Sequence, residues 1–472
     1  MKYDYHIIVI GGGSGGLVVA SGAASLGAKV ALIEGGKMGG DCLNTGCVPS
    51  KSFLKAAHLA ANIRTSHQFG IKTTIDTIDL KGVMNHVKSV ISEIEPHDSI
   101  ERYEGLGVDV IKGYGEFVDN HTIQVNNQKI TGKNIVIATG SQALLPPIPG
   151  LDTVDYLTNE NIFELATLPE HLIVLGGGPI GCELGQGFKH LGSQVTLIDM
   201  APELFAKDDS EVGPLMSQVF KEEGINLKLS STIKKLTQVG KKVEVIIERD
   251  GKEEKLVGDQ VLVSLGRRPN TQSLGLENTN VKLNERGYVL TNDKLQTSVK
   301  NIYACGDVAG PYQFTHMAGY QAGIIIRNTV FKLGAKVDYS HVPWTTYTQP
   351  EVAHVGLTEI MAKSNGSYNN HFFLKLSDND RAKADFDKQG FLKIIVDKKN
   401  RVIGATLVGN KAGEQIPIAS LAIKNKMKLS AFMSIIYAYP SEAEIFKFAA
   451  LESMKSSFKP WQKNLINKVF LR

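Results

Sequence analysis

The chain has 472 residues, of which 42% are hydrophobic and 21% are charged, the balance of an ordinary globular protein of several domains. Its formal net charge of +4 is small for this length, and no basic stripe alternates with aromatic residues, which argues against a nucleic-acid-binding protein. Four cysteines are too few for a disulfide scaffold and suit a reducing compartment, so we expect a cytoplasmic protein.

The chain opens with an uncharged stretch, residues 7–28, that superficially resembles a signal peptide or a membrane span. The stretch is rich in glycine, and Lys2 is followed by Asp4 where a signal peptide would have a basic region. A buried strand, a loop of glycines (residues 11–16) and an alanine-rich helix account for it better. A second apolar strand follows and ends in an acid, Glu34.

Two cysteines, Cys42 and Cys47, lie five residues apart shortly after this glycine loop. Gly46 lets the chain turn, and the residues after it have the pattern of a first helical turn. We therefore place Cys47 at a helix N-terminus, where the helix dipole favours a thiolate. Two thiols this close to a glycine loop favour a redox-active pair, with two buried structural thiols as the alternative.

The order of strand, glycine loop, helix and strand recurs once along the chain. The second loop begins at Gly176, and its second strand ends in Asp199. In both copies the acid lies 23 residues after the first glycine of the loop. One such motif is weak on its own, but two in the same context predict two dinucleotide sites, each with a pyrophosphate at a helix N-terminus and a ribose on the acid.

These motifs resemble those of the pyridine nucleotide-disulfide oxidoreductases, the flavoprotein family that includes glutathione reductase, dihydrolipoyl dehydrogenase and mercuric reductase. The resemblance runs from end to end, through both glycine loops, the cysteine loop, Ala-Thr-Gly at residues 138–140, Gly-Arg-Arg-Pro-Asn at 266–270 and Ala-Cys-Gly-Asp at 304–307. It implies FAD in the first site and a nicotinamide nucleotide in the second. It also implies a homodimer whose active site is completed by the partner subunit.

The fold implied by the resemblance is α/β, with two Rossmann-like dinucleotide-binding domains (FAD and NAD(P)) and a C-terminal α+β dimerisation domain. We place the FAD-binding domain with the dithiol at residues 1–148 and 274–338, and the NAD(P)-binding domain at 149–273. The dimerisation domain takes residues 339–472, where alternating apolar and polar residues favour a sheet.

The resemblance also assigns binding residues, and no metal-binding residues are expected. The residues implied for FAD are Gly11, Gly13, Gly16, Glu34, Gly40, Asp41, Lys51, Gly115, Thr139, Gly140, Ser141, Asp307 and Thr315. The residues implied for NAD are Gly176, Gly178, Pro179, Ile180, Gly181, Glu183, Asp199, Gly266 and Arg267.

Catalytic roles follow from the same resemblance for four residues. Cys47 is implied to be the thiol next to the flavin, and Cys42 the interchange thiol that attacks the substrate. Lys51 and Glu183 match an ion pair beside the flavin and the nicotinamide, where a fixed ammonium would stabilise negative charge on the reduced ring.

The segment at residues 437–444 departs from glutathione reductases and dihydrolipoyl dehydrogenases, which carry a His-Pro pair and a later glutamate there. Pro440 and Glu444 match, but Tyr439 replaces the histidine. A phenol with an ordinary pKa of about 10 is a poor base at neutral pH, although it can donate a hydrogen bond. We expect Tyr439 and Glu444 to act in catalysis, with packing at the dimer interface as the alternative for Tyr439. No cysteine follows Cys305, so mercury handling by a C-terminal cysteine pair is not expected.

We therefore expect an FAD-dependent NAD(P)H:disulfide oxidoreductase, most like dihydrolipoyl dehydrogenase or mercuric reductase, that acts on a small-molecule or protein disulfide. NADH is expected over NADPH, because Asp199 would repel a 2′-phosphate and no Arg or Lys follows it up to Ala206. The alternatives are a flavin-dependent electron donor to a quinone or membrane-associated partner, and a non-catalytic FAD-binding protein.

The C-terminal tail is basic and amphipathic. It carries no acid after Glu452, and Pro460 suits the first turn of a helix. Its basic residues are Lys455, Lys459, Lys463, Lys468 and Arg472, and its apolar stripe is Trp461, Leu465, Ile466, Val469 and Phe470. We expect the stripe to pack within the dimer, with contact to an anionic membrane surface as the alternative.

Overall fold

The computed structural model describes residues 2–471, which divide into two compact units. The first unit holds the chain up to Met200 and from Gly224 to Val337. The second holds Ala201–Glu223 and the chain from Asp338 onward. Arg472, one of the basic residues of the tail, lies outside the described residues.

The residues that the structure describes form 21 strands. Their bounds are β1 (Tyr5–Ile10), β2 (Val30–Glu34), β3 (Val108–Lys112), β4 (Gly115–Phe117), β5 (Thr122–Val125), β6 (Gln128–Ile137), β7 (Ser141–Ala143), β8 (His171–Leu175), β9 (Gln194–Ile198), β10 (Asn226–Lys228), β11 (Thr232–Val239), β12 (Lys242–Arg249), β13 (Lys252–Gly258), β14 (Gln260–Val263), β15 (Arg267–Pro269), β16 (Ile302–Ala304), β17 (Pro343–Thr346), β18 (Glu351–Gly356), β19 (Asn370–Lys375), β20 (Phe391–Val396) and β21 (Val402–Gly409).

The helices differ widely in length. Their bounds are α1 (Ser14–Ser25), α2 (Gly40–Asn44), α3 (Cys47–Thr65), α4 (Leu80–Ile94), α5 (Ile100–Gly105), α6 (Pro179–Leu191), α7 (Val212–Glu222), α8 (Thr315–Thr329), α9 (Glu359–Ser364), α10 (Asp380–Ala384), α11 (Ala412–Gln415), α12 (Pro417–Lys424), α13 (Glu444–Ser457) and α14 (Pro460–Val469).

The first sheet is built on the N-terminal strand. Its order is β3-β2-β1-β6-β5-β4, with β16 paired to β6, and the strands β3, β2, β1, β6 and β16 run parallel. Because side chains alternate along a strand, Ile7 and Val9 pack against helices α1 and α8, whereas Ile8 and Ile10 pack toward β4 and β5. Both faces are buried, as expected for a parallel sheet.

The second glycine loop belongs to a separate parallel sheet of the first unit, with the order β10-β9-β8-β14. Strands β11, β12 and β13 form an antiparallel sheet beside it, and their apolar residues share one core with β8 and β14. The two parallel sheets give the doubly repeated architecture that the two sequence motifs predicted.

The second unit is an antiparallel sheet covered by helices. Its order is β17-β18-β21-β20-β19, and α12 and α13 pack their buried residues on it. The fold class is therefore confirmed: a mixed α/β chain with two parallel-sheet repeats and a C-terminal α+β region. Among residues 2–471, no helix combines the length and the apolar character that a membrane crossing needs.

Candidate active site

The first glycine loop joins β1 to α1 in a conformation that only glycine tolerates well. Gly11 has a φ of +110°, and a side chain there would meet the carbonyl oxygen of Ala138 at 2.3 Å. A side chain on Gly16 would meet the carbonyl oxygen of Gly11 at 1.8 Å. The carboxylate of Glu34 accepts a hydrogen bond from the backbone N–H of Gly12 at 2.5 Å and so faces the loop.

The second glycine loop repeats this geometry between β8 and α6. Gly176 also has a φ of +110°, and a side chain on Gly181 would meet its carbonyl oxygen at 1.9 Å. Asp199 accepts a hydrogen bond from the backbone N–H of Gly177 at 2.6 Å. The sequence repeat is therefore also a structural repeat.

Both helix N-termini can accept a pyrophosphate. Among the described residues, neither α1, which follows Gly13, nor α6, which follows Gly178, has a side chain capping its N-terminus, so the first backbone N–H groups are open to an anion. A Cβ on Gly178 would meet no atom within 4 Å, and one on Gly13 would meet only Gly40 at 3.8 Å. The open space and the uncapped N–H groups fit the two implied dinucleotides.

The cysteine pair lies beside the first loop. Cys47 is the first residue of α3 and Cys42 lies on the short helix α2, and the two are not bridged. The Sγ of Cys47 lies 3.2 Å from Oγ1 of Thr315, the first residue of α8. The sequence implied Thr315 for FAD but did not foresee its contact with the thiol.

The two thiols differ strongly in acidity. A hydrogen bond from the Cys42 thiol lowers the pKa of Cys47 to about 6, with help from Thr315 and the charge of Lys51 and against the effect of burial. The same hydrogen bond and burial raise the pKa of Cys42. At neutral pH the pair therefore holds one thiolate, on Cys47, and one thiol, on Cys42.

Lys51 and Glu183 form the ion pair that the resemblance implied. The Nζ of Lys51 on α3 lies 2.8 Å from Oε2 of Glu183 on α6, and the Glu183 side chain is 7% exposed. The pair joins the helix that begins at Cys47 to the helix that follows the second glycine loop. The structure brings both residues together, whereas their sequence separation gave no direct sign of contact.

A second charged network surrounds Arg267. Its guanidinium donates to Oγ of Ser141 at 2.7 Å and to Oδ2 of Asp41 at 3.0 Å. Ser141 donates in turn to Asp307 at 2.6 Å, and burial raises the pKa of Asp307. These partners were all implied for FAD, whereas Arg267 was implied for NAD. The contacts group Arg267 with the FAD residues, because β15 pairs with β7, which begins at Ser141.

The structure also places three more of the residues implied for FAD. Thr139 donates to the carbonyl of Asn270 at 2.7 Å, and Asn270 donates back to the carbonyl of Thr139 at 2.9 Å. Gly140 has a φ of +69°, and a Cβ there would meet no atom within 4 Å. Gly115 is buried on β4.

The sequence missed the residues that hold Asp41. Thr45 donates to its Oδ1 at 2.6 Å, and the side-chain amide of Asn159 donates to the same atom at 3.1 Å. Asn159 belongs to no motif, so nothing in the sequence pointed to it.

In the second unit, Tyr439 is 73% exposed and its hydroxyl donates to Oδ2 of Asp380 at 3.4 Å. Asn379 fixes the same segment, because its amide donates to the carbonyls of Ser441 and Glu442 at 3.1 and 3.4 Å. Glu444, the expected orienting acid, is the first residue of α13, and its role stays a prediction. Asp380 is thus an acid partner of Tyr439 that the sequence did not single out.

The chain matches the model of the pyridine nucleotide-disulphide oxidoreductases over residues 5–322. It belongs to this family. Residues 342–450 match the dimerisation domain of the same family. The family membership makes the chain a flavoprotein that uses FAD and a nicotinamide nucleotide in disulfide oxidoreduction, and the dimerisation domain indicates a homodimer.

Three known proteins show how far the similarity extends. A mercuric reductase of Staphylococcus aureus is 38% identical over 449 residues, which cover 95% of this chain and 82% of the relative. A dihydrolipoyl dehydrogenase of Geobacillus stearothermophilus is 34% identical over 454 residues, covering 95% and 96%. The structure of the HOCl-induced flavoprotein disulfide reductase RclA from Escherichia coli is 30% identical, has a TM-score of 0.84, and covers 94% of this chain and 99% of its own.

Proposed function

We propose that the protein is an NADH-dependent reductase that delivers electrons through the Cys42–Cys47 pair to a thiol-reactive acceptor, either a disulfide or a soft metal ion. The observation that carries the proposal is the Cys47 thiol, whose pKa is lowered to about 6 beside the protonated Cys42. Its helix also supplies Lys51, which is paired to Glu183 at 2.8 Å.

The flavin supplies the two-electron relay between the nicotinamide and the cysteine pair. Cys47 holds its negative charge at neutral pH, and Lys51 provides the fixed positive charge beside it. Cys42 keeps its proton, so its attack on an acceptor needs a group that takes that proton. We assign this task to Tyr439 of the partner subunit, whose own hydroxyl hydrogen is directed to Asp380. As the phenol oxygen accepts the proton of the thiol, it passes its own hydrogen to the carboxylate of Asp380, so that no charge remains on the phenol.

We assign NADH as the donor on the strength of Asp199. Its carboxylate faces the second glycine loop through the N–H of Gly177 at 2.6 Å, the place of a ribose hydroxyl in dinucleotide folds. Arg267 is assigned to the FAD site, because its guanidinium is held by Asp41 and Ser141. No other residue implied for NAD carries a positive charge that could neutralise a 2′-phosphate.

The acceptor class draws support from the relatives. One relative is a mercuric reductase, another a dihydrolipoyl dehydrogenase, and RclA has also been solved as a Cu(II) complex. This chain has no cysteine after Cys305, so a metal acceptor would have to reach Cys42 directly. A disulfide or a soft metal ion suits a thiolate pair equally well.

An acceptor panel tests the proposal. The holoenzyme is reduced with NADH without oxygen and then offered lipoamide, glutathione disulfide, Hg(II), Cu(II) and a quinone. We expect turnover with a disulfide or a metal ion that Cys42→Ser removes. Turnover with the quinone that survives Cys42→Ser would contradict the proposal and favour the electron-donor alternative.

The tail helix is the observation that favours a second partner. Trp461, Leu465 and Val469 are 59%, 51% and 59% exposed on the chain. The tail has lysines and no acid beside this apolar stripe, so its charge suits an anionic membrane surface. The alternative is that the partner subunit covers the stripe. A cytoplasmic location stays a prediction, based on the reducing conditions that the dithiol needs.

A further inference from the structure

The helix that carries Cys42 is too short to hold its own shape. Helix α2 has five residues, and an isolated helix of that length is unstable in water. The residue before Cys42 is Asp41, and its side chain lies over the loop that leads to Cys47. A Cβ on Gly46 would meet Oδ2 of Asp41 at 3.1 Å, and the backbone N–H of Thr45 donates to the carbonyl of Asp41 at 2.9 Å. The loop between the two cysteines is thus built around Asp41.

Three side chains donate hydrogen bonds to the carboxylate of Asp41. Thr45, which belongs to the loop, and Asn159, which does not, donate to Oδ1 at 2.6 and 3.1 Å. Arg267 donates to Oδ2 at 3.0 Å. Asn159 also donates to the backbone carbonyl of Thr45 at 3.3 Å, so one amide holds both ends of the turn that carries Cys42. Because Asn159 is only 7% exposed, its amide has little water to bond with instead.

Asn159 is itself fixed by the parallel sheet of the second glycine loop. Leu157, two residues before it, makes two backbone hydrogen bonds of 2.7 Å with β14. Strand β14 pairs with β8, which leads into the second glycine loop. Arg267 follows β14 along the chain, so both donors from outside the cysteine loop reach Asp41 from this sheet.

We propose that Asn159 is a positioning residue for the Cys42–Cys47 pair. By holding Asp41, it anchors the cysteine loop to the sheet of the second glycine loop. The anchored loop keeps the two sulfur atoms within bonding reach of each other while they are not bridged. This role rests on the proposed function, in which the disulfide opens and closes in every turnover.

The step that needs this position is the closing of the disulfide. After Cys42 has attacked an acceptor disulfide, its Sγ carries one half of the acceptor in a mixed disulfide. The thiolate of Cys47 then attacks this Sγ, so that the bond between the two cysteines forms, the bond to the acceptor breaks, and the electron pair leaves on the second acceptor thiolate. The cysteine pair loses two electrons and the acceptor gains them. Misplacing reacting atoms by about 1 Å can slow such a step about a hundredfold.

The small aromatic disulfide DTNB separates the two steps on the holoenzyme, reduced with one equivalent of NADH without oxygen. Attack by Cys42 releases the first thionitrobenzoate at a rate proportional to the DTNB concentration. Closure by Cys47 releases the second at a rate that does not depend on this concentration. At equal flavin content, we expect Asn159→Leu, which removes both hydrogen bonds of the amide, to slow the second release roughly tenfold or more and to leave the first nearly unchanged.

A reversed pair keeps the test valid if Asn159→Leu fails to fold. Asn159→Asp sets two carboxylates against each other and should slow the second release. Adding Asp41→Asn exchanges the amide and the carboxylate, so the new amide donates to the new carboxylate while its oxygen still accepts from Arg267. The hydroxyl of Thr45 can accept as well as donate, so it also keeps its bond. The double variant should therefore recover fast closure, which a general loss of stability would not allow.

Asn278→Leu is the matched control, because this amide donates to the carbonyl of Phe117 at 2.8 Å and not to the cysteine loop. It should leave both releases unchanged. A second release in Asn159→Leu as fast as in the wild type would overturn the proposal, as would equally slow closure in Asn159→Asp with and without Asp41→Asn. A reduced wild-type enzyme that releases no thionitrobenzoate would contradict the proposed function itself, and this role with it.

Discussion

The acidity of the Cys47 thiol is set by its immediate neighbours. Because a hydrogen bond from Cys42, with support from Thr315 and Lys51, lowers the pKa of Cys47 to about 6, its thiolate should persist at neutral pH. We expect a long-wavelength thiolate–flavin absorption band in the two-electron-reduced enzyme that fades as the pH falls through about 6. Cys47→Ser should abolish the band, and Cys42→Ser should leave a permanent one in the oxidised enzyme. A reduced wild-type enzyme without the band would speak against a working dithiol.

We expect the choice between NADH and NADPH to depend on one carboxylate. Asp199 should favour NADH, since it would hydrogen-bond a ribose hydroxyl and repel a 2′-phosphate. Asp199→Ala should reduce the ratio of kcat/KM for NADH over NADPH, whereas Asp250→Ala, at an exposed acid in the hairpin between β12 and β13, should not change it. A tenfold preference of the wild type for NADPH, about 1.4 kcal/mol, would refute this assignment.

We expect the exposed phenol of Tyr439 to limit dithiol exchange. We expect weak turnover of lipoamide and glutathione disulfide and an improvement in Tyr439→His, because general acid–base help is worth roughly 10²- to 10⁴-fold. Asp380 should orient the new imidazole, so adding Asp380→Asn should cancel part of the gain. Asp385→Asn, at an acid that instead pairs with Arg381 at 2.6 Å, is the matched control. Wild-type lipoamide turnover equal to that of a dedicated dehydrogenase would rule out the idea.

Elements that depend on a local sequence pattern were easier to predict than the contacts between distant segments of the chain. The two glycine loops require positive φ and close helix–strand packing, so their residues show in the sequence at fixed spacing. The start of α3 at Cys47 follows in the same way. The contacts of Arg267 and Asp380 depend on how distant segments meet, and no local pattern records that. For the same reason, the sequence did not show that Ala201–Glu223 packs in the second unit.

The tail gives a prediction at the scale of one helix. Its start at Pro460 is confirmed, and its apolar stripe is exposed on the chain. If the stripe binds an anionic membrane surface, the full chain should co-sediment with anionic vesicles, less so at high salt, while a chain ending at Ser457 should not. Equal and negligible binding by both would assign the tail to packing within the dimer.

The whole molecule works as a pair of subunits if Tyr439 serves the Cys42 of its partner. A hybrid dimer tests this directly, with Cys42→Ser in one subunit and Tyr439→Ala in the other. Across the interface, one site of the hybrid keeps both an intact Cys42 and an intact Tyr439, so we expect about half of the wild-type kcat.

Each parental homodimer lacks one of the two groups in both sites and should be slower than the hybrid. If Tyr439 served the Cys42 of its own subunit, each site of the hybrid would lack one group, and its kcat would not exceed the mean of the two parents. Hybrid activity at that mean would therefore place Tyr439 and Cys42 in the same subunit, and activity well above it would place them across the dimer.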